Sequence, residues 1–231
     1  MKRLAISWWL CALTISVAAG CGHFLESRAI DAFTAALDAQ DLAALKDHSS
    51  DAFEQKALRR AEALDDMQIL HLPTGETSVT EVEDVSETEK RVTVKAGEST
   101  RKVFYQLIKD GSGEWVVNDV YLQQKHQGLT AKRSVTEQMD LLLTVREFLA
   151  AWDGGEREAV LAVTTPKLRA LLESLPPAFL ERLTRQVIGE RPPSSKLKPK
   201  AELDANVAVV RLPRGAGEMV LSMKLLDGAW K

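Results

Sequence analysis

Apolar positions along this chain follow a helical period first and an alternating period afterwards, and the switch occurs twice. In residues 24–38, Ile30, Phe33 and Leu37 recur at helical spacing with Glu26, Arg28 and Asp31 off that stripe, which predicts an amphipathic helix. Asp41 stands where it caps a short second helix holding Leu42 and Leu45. Asp51 followed by Glu54 forms a capping-box pattern, and the third helix it opens runs through Phe53, Ala57, Ala61 and Leu64 towards Asp66. After Pro73-Thr74-Gly75 the period shortens. Val92 and Val94 alternate with polar neighbours, and segments 101–109 and 115–122 follow as strands joined by Asp110-Gly111-Ser112-Gly113. Residues 123–133 are polar, contain one glycine, and read as an exposed linker.

The second round begins at Ser134, which with Glu137 makes a full capping box. It opens a long helix to Trp152 whose buried stripe is Leu141, Val145, Phe148 and Trp152. Thr165-Pro166 marks another helix start, Thr as cap and Pro at the first helical position. Pro176-Pro177 ends that helix and admits one more through Phe179, Leu183 and Val187, stopped near Gly189. Residues 191–200, rich in Pro, Ser and Lys, read as a loop or a poorly ordered edge, and 206–212 and 218–226 read as strands. Helices followed by an antiparallel meander, in both rounds, imply an α+β class with helices packed on one face of each sheet.

The two rounds keep one spacing. Phe33 and Phe148, Asp38 and Asp153, Val92 and Val207, Val94 and Val209, Gly113 and Gly228, and Trp115 and Trp230 are each 115 positions apart. A gapless offset of this kind indicates a duplicated domain, with copies at 21–122 and 134–231. Only Lys231 follows Trp230, so the counterpart of 117–122 is missing from the second copy. The expectation is an unpaired edge along 218–226, in a chain that is truncated or relies on another strand to cover it.

The first residues change the picture from fold to address. Met-Lys-Arg precedes an almost uninterrupted apolar run over 4–19, then Gly20-Cys21. A basic start, a short apolar stretch and small residues at its end make residues 1–20 a secretory signal peptide; a membrane span needs about 20 apolar residues. Val17-Ala18-Ala19-Gly20-Cys21 resembles the bacterial lipobox, in which the Cys is acylated and becomes the first mature residue. Ala18 stands where that motif usually has Leu, so ordinary cleavage after Ala19 or Gly20 is the alternative, giving a secreted soluble protein. Of the two cysteines, Cys11 lies inside the apolar run and leaves with it. Cys21 then has no disulfide partner, and lipid attachment is the reading that accounts for it. With a formal charge of −3 the chain lacks the concentrated basic surface that nucleic acid requires. Membrane attachment would come from acyl chains.

The Phe33–Asp38 helix end (Phe-x-x-Ala-Leu-Asp), the helices behind it and the closing Gly-x-Trp-x-Val hairpin resemble the NTF2-like superfamily, closest to the small domains of that type in bacterial lipoproteins. The resemblance covers most of both copies and implies a curved antiparallel sheet wrapped around N-terminal helices, enclosing a cone-shaped cavity. Some members use that cavity for catalysis with Asp, His or Tyr; others bind a ligand or partner. Fold-level likeness carries no chemistry by itself.

Candidate chemistry is sparse. No two of His23, His48, His71 and His126 stand at zinc-ligand spacing, and the second copy holds no His, Cys or Tyr. No cofactor or metal is expected. Asp38 and Asp153 are the acidic pair common to both copies; each is read as ending a helix and holding the next turn. Tyr105 and Asp119 share the parity of Trp115 and are the pair that would face the first cavity together, as the site of an isomerase- or hydratase-type enzyme. Glu81, Glu83, Asp84, Glu87 and Glu89 make an acidic hairpin where the second copy has Lys196, Lys198 and Lys200; these read as charge-protected edge strands or as a complementary contact. The preferred reading is a lipid-anchored, non-catalytic binding or scaffolding module in the cell envelope, engaging an envelope protein or a small apolar ligand. The enzyme is the alternative.

Overall fold

The computed structural model describes residues 23–73, 75–96, 102–126, 129–188, 200–204 and 206–231. Four helices, α1 (Phe24–Asp38), α2 (Leu42–Asp47), α3 (Asp51–Ala57) and α4 (Ala63–Ile69), precede strands β1 (Thr77–Asp84), β2 (Glu89–Ala96), β3 (Lys102–Lys109), β4 (Trp115–His126) and β5 (Leu129–Ser134). The order then recurs: α5 (Val135–Gly154), α6 (Arg157–Ala162), α7 (Pro166–Glu173), α8 (Pro177–Ile188), then β6 (Lys200–Asp204), β7 (Val207–Arg214), β8 (Gly217–Leu226) and β9 (Ala229–Trp230). Both sheets are open and antiparallel, with strands in sequence order. The class is α+β.

Helix starts follow local chemistry. Asp41 accepts from the Ala43 and Ala44 amides, Ser134 Oγ from Glu137, and Thr165 Oγ1 from Leu168 with Pro166 at the first position. Three features differ from expectation. The cap of α3 is Ser50, whose Oγ accepts from the Phe53 amide, and Asp51 is already helical. The helix expected over 51–66 is two, broken after Ala57, where Arg59 turns back to donate to the Lys56 carbonyl and onward to α5. Glu26, placed off the buried stripe of α1, is itself buried and paired with Lys90, which also lies 5.0 Å from the Trp115 ring centroid. Glu26 holds the Lys90 ammonium above its usual range.

The segment expected as a linker is built into the first sheet. β4 runs on to His126, and β5 returns along it with Gln123 opposite Lys132 and Tyr121 opposite Ser134. A polar sequence serves a strand at a sheet edge as well as it serves a loop. Ser134 ends β5 and caps α5 in one step, and α5 is shared by both halves. Val135, Met139, Leu142 and Leu143 pack into the first core, whereas Leu141, Val145 and Leu149 pack into the second. Two arginines tie it to the first helices. Arg59 donates to Asp140 Oδ1 (2.6 Å), Glu147 Oε1 (2.8 Å) and Thr144 Oγ1 (3.0 Å). Arg146 forms a two-pronged ion pair with the fully buried Asp66 of α4.

The gapless offset of 115 is corrected by the register of the second sheet. From Val92 and Val94 it points to Val207 and Val209, but the buried residues of β7 are Ala208, Val210 and Leu212, and Val207 is 42% exposed. A one-residue slip turns a strand's whole apolar set to the other face. The helices slip too: Phe33 is fully buried, whereas Phe148 is half-buried and Leu149 beside it is fully buried. At the closing hairpins, residues 110–114 separate Lys109 from Trp115, but only Asp227 and Gly228 separate β8 from β9. Both take positive φ (51° and 78°), which a two-residue hairpin of this hand requires. Trp115 therefore lies opposite Lys109 and Trp230 opposite Leu225, and the indoles are not in equivalent places. Along the outer edge of β8 the expected lack of pairing is found from Gly217 to Met223, among the described residues. Lys224 to Leu226 are paired with residues 229–231.

Candidate functional site

Tyr105 and Asp119 do not meet in a cavity. Tyr105 on β3 faces the helices, its ring edge-on to Phe33 at 6.3 Å, and Phe33 is edge-on to Phe53 at 5.5 Å. Burial pushes its phenol well above the ordinary tyrosine range. Asp119 points to the opposite side of the sheet because a bulge intervenes. Gln106 pairs with Asp119, but Leu107 pairs with Val117, so Asn118 is an extra residue and side-chain parity reverses across it. The bulge is held by the turn between α2 and α3. The Val117 N–H donates to the His48 carbonyl and its C=O accepts from the Ser50 amide, while Asn118 Oδ1 accepts from Ser50 Oγ (2.7 Å).

Asp119 is buried and serves as an anchor for the start of α5. Its carboxylate accepts from Ser134 Oγ (2.6 Å), Thr136 Oγ1 (2.7 Å), the Thr136 amide (3.1 Å) and the Val120 amide (2.8 Å). Four donors fix this carboxylate in place at the N-terminus of α5. The tyrosine beside it is Tyr121, two residues on along the same strand. Burial, then the charge of Asp119, raises the Tyr121 phenol to about 12.

The space between helices and first sheet, where the resemblance places a cavity, is occupied by large apolar side chains. Ile30, Phe33, Leu45, Phe53, Val94 and Leu107 are all fully buried there. Concave features lie outside it. One, of about 670 Å³, sits between the end of α1 and α4, with Leu37, Leu64, Met67 and Leu72 beneath and Asp38, Gln40, Gln68 and His71 around the mouth. Gln40 (φ 54°) and His71 (φ 51°) are both left-handed, a conformation that costs a non-glycine residue roughly 1 kcal/mol or more. Asp38 Oδ2 accepts from the Gly75 amide (3.1 Å), so this carboxylate holds a loop distant in sequence rather than the turn after α1. Apolar walls with a few polar groups at the mouth suit a small apolar ligand carrying a polar tip.

A second concavity, of about 440 Å³, is a groove across the face of the first sheet turned away from the helices, flanked by Glu83, Arg91, Phe104, Gln106, Tyr121 and Lys132. Lys132 Nζ lies 3.7 Å from the Phe104 ring centroid, and Gln106 Nε2 donates to Glu89 Oε1 (2.7 Å). Arg91 approaches Glu83 at 3.8 Å, so the acidic hairpin has a cationic neighbour within its own sheet. Two of these residues, Tyr121 and Arg91, are of the types that concentrate binding energy at protein interfaces. The outward placement of Tyr121 depends on the Asn118 bulge, which no residue pattern announces.

Among the described residues no three of His, Cys, Asp and Glu converge as metal ligands, and no helix is long and apolar enough to cross a membrane. Cys21, Lys196 and Lys198 lie outside the described residues, and Asp153 at the end of α5 is solvent-exposed. No family model matches the chain, and comparison with curated proteins and with solved structures yields no significant match.

Proposed function

We propose that this protein is a non-catalytic binding or scaffolding module of the bacterial cell envelope, exported by residues 1–20 and held at a membrane by acyl chains on Cys21. Its two α+β halves are read as NTF2-like units. The observation that supports a module over an enzyme is the apolar helix–sheet interior of the first half, where Tyr105 packs against Phe33 and the companion carboxylate, Asp119, is turned to the other side and held by Ser134 and Thr136. The binding surfaces are the groove around Phe104 and Tyr121 and the apolar cavity between α1 and α4.

Two measurements test this. Intact-mass analysis of the chain expressed in a bacterium should show an N-terminus at Cys21 carrying lipid mass, and Cys21→Ser should release the protein from membranes. An unmodified Cys21, or an N-terminus at Gly20 or Gly22, overturns the address. Native capture from envelope extract should return a partner or ligand that Tyr121→Ala with Arg91→Ala loses and Tyr105→Phe keeps. Equal capture by all variants refutes the groove as the binding surface.

A further inference from the structure

The face of the first sheet turned away from the helices carries its cations in a row. Val94 and Val103 are buried in the core on the helix side, so Lys95 and Lys102, each one residue away, point to the other face. Ser78, Lys95 and Lys102 are successive partners across β1, β2 and β3. Val103 opposite Leu122 continues the row to Gln123 on β4, which pairs with Lys132 on β5. The spacing of strands sets two of these lysines about 5 Å apart at the backbone and the third about 10 Å further on. All three are exposed, and no acidic residue stands in the row.

The fold makes no use of these charges. Lys95 and Lys102 stand directly opposite each other on two interior strands, where like charges are destabilising and there is no sheet edge to protect. Among the described residues no carboxylate pairs with any of the three, whereas Lys90 on the same strand is held by both Glu26 and Asp84. Lys132 is fixed instead by Phe104, with Nζ 3.7 Å from the ring centroid, a contact that positions the cation without neutralising it. Phe104 and Tyr121 form the next row, and Glu83, Arg91 and Gln106 the one after it. The lysines therefore line one side of the groove, whose Tyr121 hydroxyl, Gln106 amide and Arg91 guanidinium are all hydrogen-bonding groups.

We propose that this face binds an acidic polysaccharide, laid across the strands with its anionic groups on Lys95, Lys102 and Lys132 and its ring hydroxyls in the groove. This ligand class rests on the groove being the module's binding surface. Exposed ammonium groups in a row favour a polymer over a single anion: each contributes little alone, and linked anionic groups engage them together. Glu81 and Glu83 on the β1 side of the groove set the charge density that fits. They repel a chain with a phosphate on every unit, and they accept hydrogen bonds from hydroxyls, of which a polysaccharide carries several on each ring. Single-stranded nucleic acid needs open aromatic faces for its bases, and here Lys132 lies over the Phe104 ring. Arg91 and Gln106, opposite each other on β2 and β3, present planar groups to neighbouring hydroxyls.

The test uses the full chain as its bacterial host processes it, in a non-ionic detergent. It is titrated by calorimetry with a polyuronate, a sulfated glycan, neutral dextran and a single-stranded oligonucleotide. An acidic glycan should bind and weaken as salt is raised, and dextran should not bind. Lys95→Gln and Lys132→Gln should each lose about two- to fivefold in affinity, and Tyr121→Ala about tenfold or more. Lys102→Glu sets opposite charges across the pair with Lys95, so affinity should fall about tenfold or more while the urea midpoint holds or rises. Loss of folding cannot produce that combination. No binding of either acidic glycan at low salt, affinities untouched by the lysine substitutions, or tighter binding of the oligonucleotide overturns the proposal. If the groove then still captures another ligand that Tyr121→Ala with Arg91→Ala loses, the ligand class alone is refuted and the binding surface stands.

Discussion

Removing the carboxylate of Asp66 tests how the halves of this protein are joined. Asp66 lies on α4 in the first set of helices and Arg146 on α5, the helix that both cores share. The side chains are 0% and 6% exposed, and Arg146 Nε reaches Asp66 Oδ2 at 2.6 Å while a terminal nitrogen takes the other oxygen. An exposed pair would contribute about 0–1 kcal/mol; breaking a buried one costs about 3–5 kcal/mol, because the remaining charge stays out of water. Glu62 and Asp65 also act on the Arg146 guanidinium, which places Asp66→Ala near the lower end, about 3 kcal/mol. With a urea slope of roughly 2 kcal/mol/M the unfolding midpoint should fall by about 1.5 M. Replacing both partners, Asp66→Leu with Arg146→Met, removes the desolvation cost together with the attraction and should restore stability to within about 1 kcal/mol of the parent. Urea titrations followed by circular dichroism and tryptophan fluorescence measure all three proteins. A loss below about 1 kcal/mol for Asp66→Ala, or a double variant as unstable as the single one, would refute the view that a buried charge pair clamps α5.

Other consequences are open to direct measurement. Asp119→Asn keeps the shape but takes an acceptor from Ser134 and Thr136, and should cost about 1.5–3 kcal/mol in the same titration. Phe33→Ala should cost about 3–5 kcal/mol, and Phe148→Ala clearly less because that ring is only half-buried; equal losses would contradict the slipped alignment of the halves. In an alkaline titration of tyrosinate absorbance neither tyrosine should ionise near the ordinary value of about 10. Tyr121 should titrate at about 12, and Tyr105 only as the protein unfolds. Since the folded state holds these phenol protons more tightly than the unfolded chain, their contribution is complete below pH about 10 and is lost as pH rises through the folded values. Ionisation of Tyr121 near 10 would count against its placement beside Asp119.

Much of the fold was legible in local chemistry. Ser134, Thr165 and Asp41 act on amides two or three residues away, so their caps stand where the residues alone place them. The period change after Pro73 marks the first sheet for the same reason: alternation is a property of neighbouring positions. The repeat was legible as a sequence of elements but misleading as an alignment, because Val207 and Val209 match Val92 and Val94 in identity and not in orientation.

The sequence alone therefore determines most helix starts and the alternating strands, since caps, turns and apolar periods act over a few residues. The tertiary structure decides which side of a strand each residue occupies and what it meets there. The Asn118 bulge is stabilised by His48 and Ser50, some seventy positions earlier, and it parts Asp119 from Tyr105. The polar stretch 123–133 becomes strand because β4 offers it an edge, and α5 is shared because Met139 and Leu141 face different cores. Each of these depends on groups brought together from distant parts of the chain, whose pairing energy has no trace in the spacing of neighbouring residues.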